Sequence, residues 1–261
     1  MAKIAIPDNN KYFPQDTQNV FQNFKIGERD NFFYLFNSPR CFLKKNKLTI
    51  QVNEEIELFK WEKTFLKFVN KRRYTVISEY EINGYKKEEI EKRCSWRLVV
   101  GHGASHPQEI SMTLHHIYGI PYIPGGAVKG VTRHWIILSK FGNNEKNAEQ
   151  DEAFQKIFGT QKQQGNIIFM DALSINEANL KLDIMNPHYP DYYSNNIPPA
   201  DWQQPKPIKF LTVERTTFHF VLLSKDECLI RTAKEWLEDA LKNFGIGAKT
   251  SLGYGIFEFD S

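Results

Sequence analysis

The chain has 261 residues, 41% hydrophobic and 25% charged, a balance that excludes collagen-like, low-complexity and wholly disordered proteins. Its length suits one large domain or two small ones. Thirty-four lysines and arginines stand against 31 aspartates and glutamates, a net charge of only +3, so any polyanion must be met by a local cluster of cations rather than by a field over the whole surface.

Residues 1–50 read as an irregular, aromatic-rich arm interrupted by Pro7, Pro14 and Pro39. The first residues lack the apolar stretch of a secretory signal, and no run reaches the ~18–20 apolar residues of a membrane span. Cys41, Cys94 and Cys228 are odd in number and form no CxxC pair, which argues against a zinc ribbon or a disulfide framework. Together these features lead us to expect a cytoplasmic protein without a membrane partner. Lys44-Lys45-Asn46-Lys47 predicts a turn before the alternating strand Leu48–Val52. Leu58, Trp61, Phe65, Phe68 and Val69 recur at helical spacing and predict a helix over 55–72, closed by the basic run Lys71-Arg72-Arg73.

From residue 95 the pattern becomes regular. Trp96–Val100 reads as a strand stopped by Gly101-His102-Gly103, and 113–123 as an extended ribbon broken at Gly119. After Ile123-Pro124-Gly125-Gly126, Val128, Val131, Trp135 and Leu138 mark a helix running to about Lys140, and 166–175 reads as a strand. Residues 207–223 contain another strand, 227–244 the clearest amphipathic helix, and 253–259 a closing strand. Residues 142–151 and 160–165 read as mobile polar loops, and the proline-rich 176–206 as an inserted loop or thumb. The order strand-helix-strand, twice, predicts an α+β, ferredoxin-like (RNA-recognition-motif-like) split βαβ sandwich over 95–261, with 1–94 an N-terminal extension packed on it.

Two glycine clusters carry the chemistry. In Pro124-Gly125-Gly126-Ala127-Val128-Lys129-Gly130-Val131-Thr132-Arg133, glycines open a helix whose first N–H groups, with Lys129 and Arg133 on one face, suit either an anion or a plain turn. In Gly245-Ile246-Gly247-Ala248-Lys249-Thr250-Ser251-Leu252-Gly253-Tyr254-Gly255, Ala248 precedes Lys249 and the loop joins a helix to a strand, so it is no Walker A; Thr250 also breaks GxGxxG. Four glycines in eleven residues exceed what a helix cap needs, and point to a backbone that a polyanion can approach closely.

The seven histidines include no HExxH and no pairing with cysteine, and Asp171 and Asp183 lack a carboxylate partner for a two-metal centre, so no metal or other cofactor is expected. His102 or His106 could act as the general base of a metal-independent ribonuclease, the alternative to a non-catalytic binding role.

The 245–255 loop resembles the glycine-rich signature of the RAMP superfamily of CRISPR RNA-binding proteins, and Tyr122–Arg133 is similar to that superfamily's Ile-Pro-Gly-Ser-Ser-Leu-Lys-Gly-x-x-Arg segment, with Gly125-Gly126 in place of Gly-Ser-Ser. Trp96–Gly101, Leu114–Pro121, Asp183–Tyr189 and Ile208–Val213 follow, in order, the pattern of the sixth-subunit family of type III-B (Cmr) effector complexes. The resemblance covers roughly 95–259. It implies an RNA-recognition core with a thumb, holding the 3′ part of a CRISPR guide RNA beside the backbone and small Cmr subunits and the other 3′-end RAMP subunit. It does not imply a nuclease. Gly125, Gly126, Lys129, Arg133, Gly245, Gly247, Lys249, Thr250, Ser251 and Gly253 are then the expected RNA contacts.

Overall fold

A computed structural model describes residues 43–44, 47–48, 61, 63–102, 111–185 and 207–259. A short hairpin pairs β1 (Leu43–Lys44) with β2 (Lys47–Leu48), which places the expected turn at 45–46. Helix α1 spans Lys63–Ile82, later in the chain than predicted, and Lys71-Arg72-Arg73 lies at its middle rather than its end. Its buried residues are Leu66, Val69, Arg73 and Ile77; of the predicted stripe, Trp61 and Val69 are buried and Phe65 packs on the core, whereas Phe68 is 59% exposed. No glycine or proline intervenes until Gly84, whose φ of +82° turns the chain while Tyr85 N–H returns to Tyr80 O.

The main sheet is antiparallel, in the order β3 (Lys86–Arg93), β10 (Thr217–Ser224), β7 (Ala172–Ser174) and β5 (Tyr122–Ile123), with β6 (Ile168–Phe169) also on β10. All eight residues of β3 pair with β10, so part of the segment read as an extension is a strand of this sheet. Strand β10 is buried on both faces. Phe218, Phe220 and Leu222 enter the larger core, while Val221 and Leu223 meet Ile77 of α1 on the other side. The larger core is closed by α2 (Gly125–Phe141) and α5 (Glu227–Asn243), both where the sequence places them. Asp226 caps α5 by accepting from Leu229 N–H at 2.9 Å, and Gly142 ends α2 in the left-handed conformation.

A second antiparallel sheet joins β4 (Arg97–Leu98), β9 (Ile208–Glu214) and β8 (Asn179–Met185). The single strand expected over 207–223 is therefore two, parted where Arg215 takes φ +43° and Thr216 Oγ1 donates to Glu214 O. Of the stretch expected as an inserted loop or thumb, 179–185 is regular strand, and 186–206 lies outside the described residues. The polar stretches expected to be mobile hold helix α3 (Glu145–Ala148) and a turn in which Thr160 Oγ1 accepts from Lys162 and Gln163 N–H, and helix α4 (Glu152–Phe158) lies between them. Within the ribbon over 113–123 β5 is regular strand, Leu114 bridges Pro121 antiparallel, and a tight turn at 116–118 is closed by His115 N–H to Ile120 O. The closing strand reduces to one bridge, Phe257 to Cys94. The described fold is thus α+β, with every described strand pair antiparallel.

Candidate nucleic-acid interface

The C-terminal glycine cluster leaves α5 and folds back along β4. Gly245, Gly247, Gly253 and Gly255 all have positive φ, as does Lys249 at +61°. Three of the glycines are fixed by close packing. A Cβ on Gly245 would meet Ile256 Cδ1 at 2.8 Å, one on Gly247 would stand 2.3 Å from Val99 O, and one on Gly255 1.9 Å from Ile246 O. The loop's own main chain consumes several of its donors: Ile246 N–H goes to Gly255 O, Ala248 N–H to Val99 O and Gly255 N–H to Arg97 O. The expectation of a wholly bared backbone is corrected to this extent. At the tip the expectation fits better. Thr250–Leu252 form a single 3₁₀ turn with no buried residue, the Cβ position of Gly253 is open, and no acceptor among the described residues takes the N–H of Lys249, Thr250 or Ser251.

Lys249 extends across Phe210, its Nζ 5.2 Å from the ring centre and 3.0 Å from Met185 Sδ. His102 lies on the same ring at 5.5 Å. Burial first, then the Lys249 ammonium, hold the His102 imidazole below its ordinary pKa. Beneath the loop a polar network ties the second sheet to the tip. Arg97 donates to Asp183 at 2.6 Å and to Glu214 at 3.3 Å, and the Tyr254 hydroxyl donates to the same Asp183 oxygen at 2.6 Å. Burial raises the Asp183 carboxyl, but Tyr254, Arg97 and Ile184 N–H outweigh it and leave the group below the usual carboxylate range. Burial and that carboxylate push the Tyr254 phenol up to about 12. Asp183 is thus held as the counter-ion of Arg97 and the acceptor of Tyr254. Trp96, missed as a site residue, is 41% exposed, 4.8 Å from the Tyr254 ring and beneath the Arg97 guanidinium. An aromatic next to arginine at a strand start is the sequence signal that could have found it.

At the other cluster, Gly125 opens α2 with its N–H on Asp171 Oδ1 at 2.7 Å. A side chain on Gly125 would strike Phe169 O at 2.1 Å, whereas the Cβ position of Gly126 is open. The helix N-terminus therefore already holds one carboxylate of its own chain, leaving Gly126 and the half-buried Lys129 for any outside anion. Arg133 is drawn away by Glu145 at 2.7 Å and Glu149 at 3.7 Å, and covers the Phe154 ring. It belongs to the α2–α3 contact.

The two clusters share one end of the helix pair. His134 and Trp135 lie against Phe244, at 5.3 and 6.0 Å, and Lys140 over Trp236, so α2 and α5 run antiparallel. From that crossing Gly126 lies about 12 Å further along α2, on the side where α5 hands over to its loop. Among the described residues no group of three metal-ligating side chains occurs, and no helix is long and apolar enough to cross a membrane. Cys94 is buried and Cys228 exposed, both as thiols; His106 and Cys41 lie outside the described residues.

A family model of the RAMP superfamily matches residues 97–258, which contain both glycine clusters. The chain belongs to the RAMP superfamily. Over 217 residues this RAMP protein is 37% identical to the CRISPR system Cmr subunit Cmr6 of Pyrococcus furiosus, covering 61% of this chain and 64% of that protein. Over 142 residues it is 32% identical to the CRISPR system CMR subunit Cmr6 of Saccharolobus solfataricus, covering 53% of this chain and 45% of that protein. The chain spans less than two thirds of either relative. It also superposes on a chain of the cryo-EM structure of the type III-B Cmr-beta bound to cognate target RNA, with a TM-score of 0.61 and 19% identity over 97% of this chain and 84% of that one, a likeness of fold.

Proposed function

We propose that this RAMP protein is a non-catalytic, guide-RNA-binding subunit of a type III-B CRISPR effector complex. In this reading the ferredoxin-like ancestry of its core presents the 245–255 tip to the 3′ part of the guide. Neighbouring Cmr subunits, the backbone, small and other 3′-end RAMP proteins, contact the remaining surface. The observation that carries the reading is the exposed tip: Lys249 in the left-handed conformation, two hydroxyl residues, main-chain donors without acceptors among the described residues, and an open Cβ position at Gly253. Such a surface takes phosphate without reading sequence, and Trp96 beside it offers a face for one base. Likeness to the Cmr6 subunits supports the choice of complex.

The test is RNA retention by the full chain, alone and reconstituted with Cmr partners. Lys249→Ala and Lys129→Ala should each weaken guide-RNA binding and lower the slope of log affinity against log salt by about one. Unchanged affinity in both variants overturns the proposal. The ribonuclease alternative keeps one observation in its favour, the half-buried His102 with depressed pKa beside Lys249. Repeat RNA incubated with the protein and EDTA should remain intact; cleavage to a 2′,3′-cyclic end that His102→Ala abolishes would decide for the enzyme.

A further inference from the structure

On the α1 side of the main sheet, opposite the α2–α5 layer, lies a pocket of about 290 Å³. Its rim carries Arg72 and its floor Arg73, both from α1. Arg73 is only 7% exposed. Its Nη2 donates to His219 O at 2.9 Å, but its Nε and Nη1 have no hydrogen-bond partner among the described residues, and no carboxylate there lies within ion-pair distance. A buried guanidinium left with two unsatisfied nitrogens is costly for a folded chain. Burial lowers its pKa only to about 10, so it stays charged at neutral pH.

The remaining walls suit a particular kind of anion. Asp171 is the carboxylate of the pocket, and one of its oxygens is already engaged by Gly125 N–H, so the two arginines leave a net positive charge. His115 adds a neutral donor. Its Nδ1 faces the N–H groups of Ile117 and Tyr118, each at 3.3 Å, which makes Nδ1 the acceptor and puts the ring proton on Nε2. The Tyr118 ring stacks on His115 at 4.4 Å, and Val69, Val76 and Leu173 supply apolar surface. The volume sits near the lower end of small-molecule sites (~300 Å³), larger than a bare phosphate requires. Helix α1 lies outside the segment matched by the RAMP family model, so half of this pocket is particular to the chain's own N-terminal part.

We propose that this pocket binds one nucleotide, with its phosphate on Arg73 and Arg72 and its base against the valines and leucine. The site is separate from the glycine-loop interface and does not depend on it. The nucleotide is either free or one residue of a longer strand, and the test distinguishes these.

The full chain is titrated calorimetrically with adenosine 5′-monophosphate, with adenosine, and with a single-stranded RNA decamer. Adenosine 5′-monophosphate should bind at least tenfold more tightly than adenosine. Arg72→Ala and Val76→Glu, both at exposed positions on α1, should each weaken it at least tenfold without shifting the melting temperature, and Lys249→Ala should leave it unchanged. Arg73→Met should abolish binding, with its melting curve recorded as the control for folding. Displacement of the mononucleotide by the decamer assigns the pocket to a strand; lack of displacement assigns it to a free nucleotide. Equal affinity for adenosine and its monophosphate, mononucleotide binding that survives Val76→Glu, or no binding of the mononucleotide overturns the proposal.

Discussion

Single glycines separate packing from function in this chain. Gly125, Gly245, Gly247 and Gly255 are each demanded by a neighbouring atom that a methyl group would strike, but Gly126 and Gly253 are not. Gly126 sits at the start of a helix without a positive φ. Gly126→Ala should therefore stabilise the protein, by up to about 1 kcal/mol in urea titrations, while lowering RNA affinity if a strand approaches the α2 N-terminus. Gly247→Ala should cost far more, because its Cβ would stand 2.3 Å from a carbonyl oxygen in an already left-handed backbone. Tyr254→Phe removes the hydroxyl that Asp183 accepts from, and should destabilise by about 1–2 kcal/mol while leaving Arg97 in place. From sequence the clusters were legible as unusual, because four glycines so close together stand out in any chain. Which of them the fold itself consumes was not, since the atoms they avoid belong to Val99, Phe169 and Ile256, distant in sequence or across a turn.

At the level of elements, the two helices over the larger core were legible almost to the residue. Their apolar positions recur at the helical period, and α5 begins at an aspartate cap and α2 ends at a glycine. Asp226→Ala should lower the unfolding free energy by about 1 kcal/mol, read from the urea midpoint. Helix α1 was misplaced because its buried stripe includes an arginine: Arg73 occupies a core position, which hydrophobic periodicity counts as solvent-facing. Strands β9 and β10 were fused in the sequence reading because apolar residues continue through both, and only the left-handed Arg215 between them marks the change of sheet. Arg133 shows the same limit for charge. Its place four residues after Lys129 suggested a shared cationic face, but Glu145 and Glu149, from a segment read as loop, neutralise it.

For the whole molecule, one buried and two half-buried histidines should make stability fall in acid. Burial and the Arg73 cation hold His219 below its ordinary pKa despite the Glu89 carboxylate at 3.1 Å, and burial does the same to His102 and His115. A folded-state value depressed below the unfolded value near 6.5 stabilises the protein above about pH 6.5, and that stability is lost as pH falls through the folded values. Urea midpoints should therefore drop between pH 7.5 and 5.5, and His219→Gln should flatten the drop; a level wild-type profile would contradict this account.

The register of β8 and β9 carries a practical corollary. Met185 and Ile208 stand directly opposite one another, close enough for a two-residue turn to join β8 and β9. The described pairing of these strands is complete without the segment 186–207. Exchanging it for Asn-Gly should keep a cooperative melt and an intact hairpin, which makes this position a natural port for grafting or transplanting segments between related subunits.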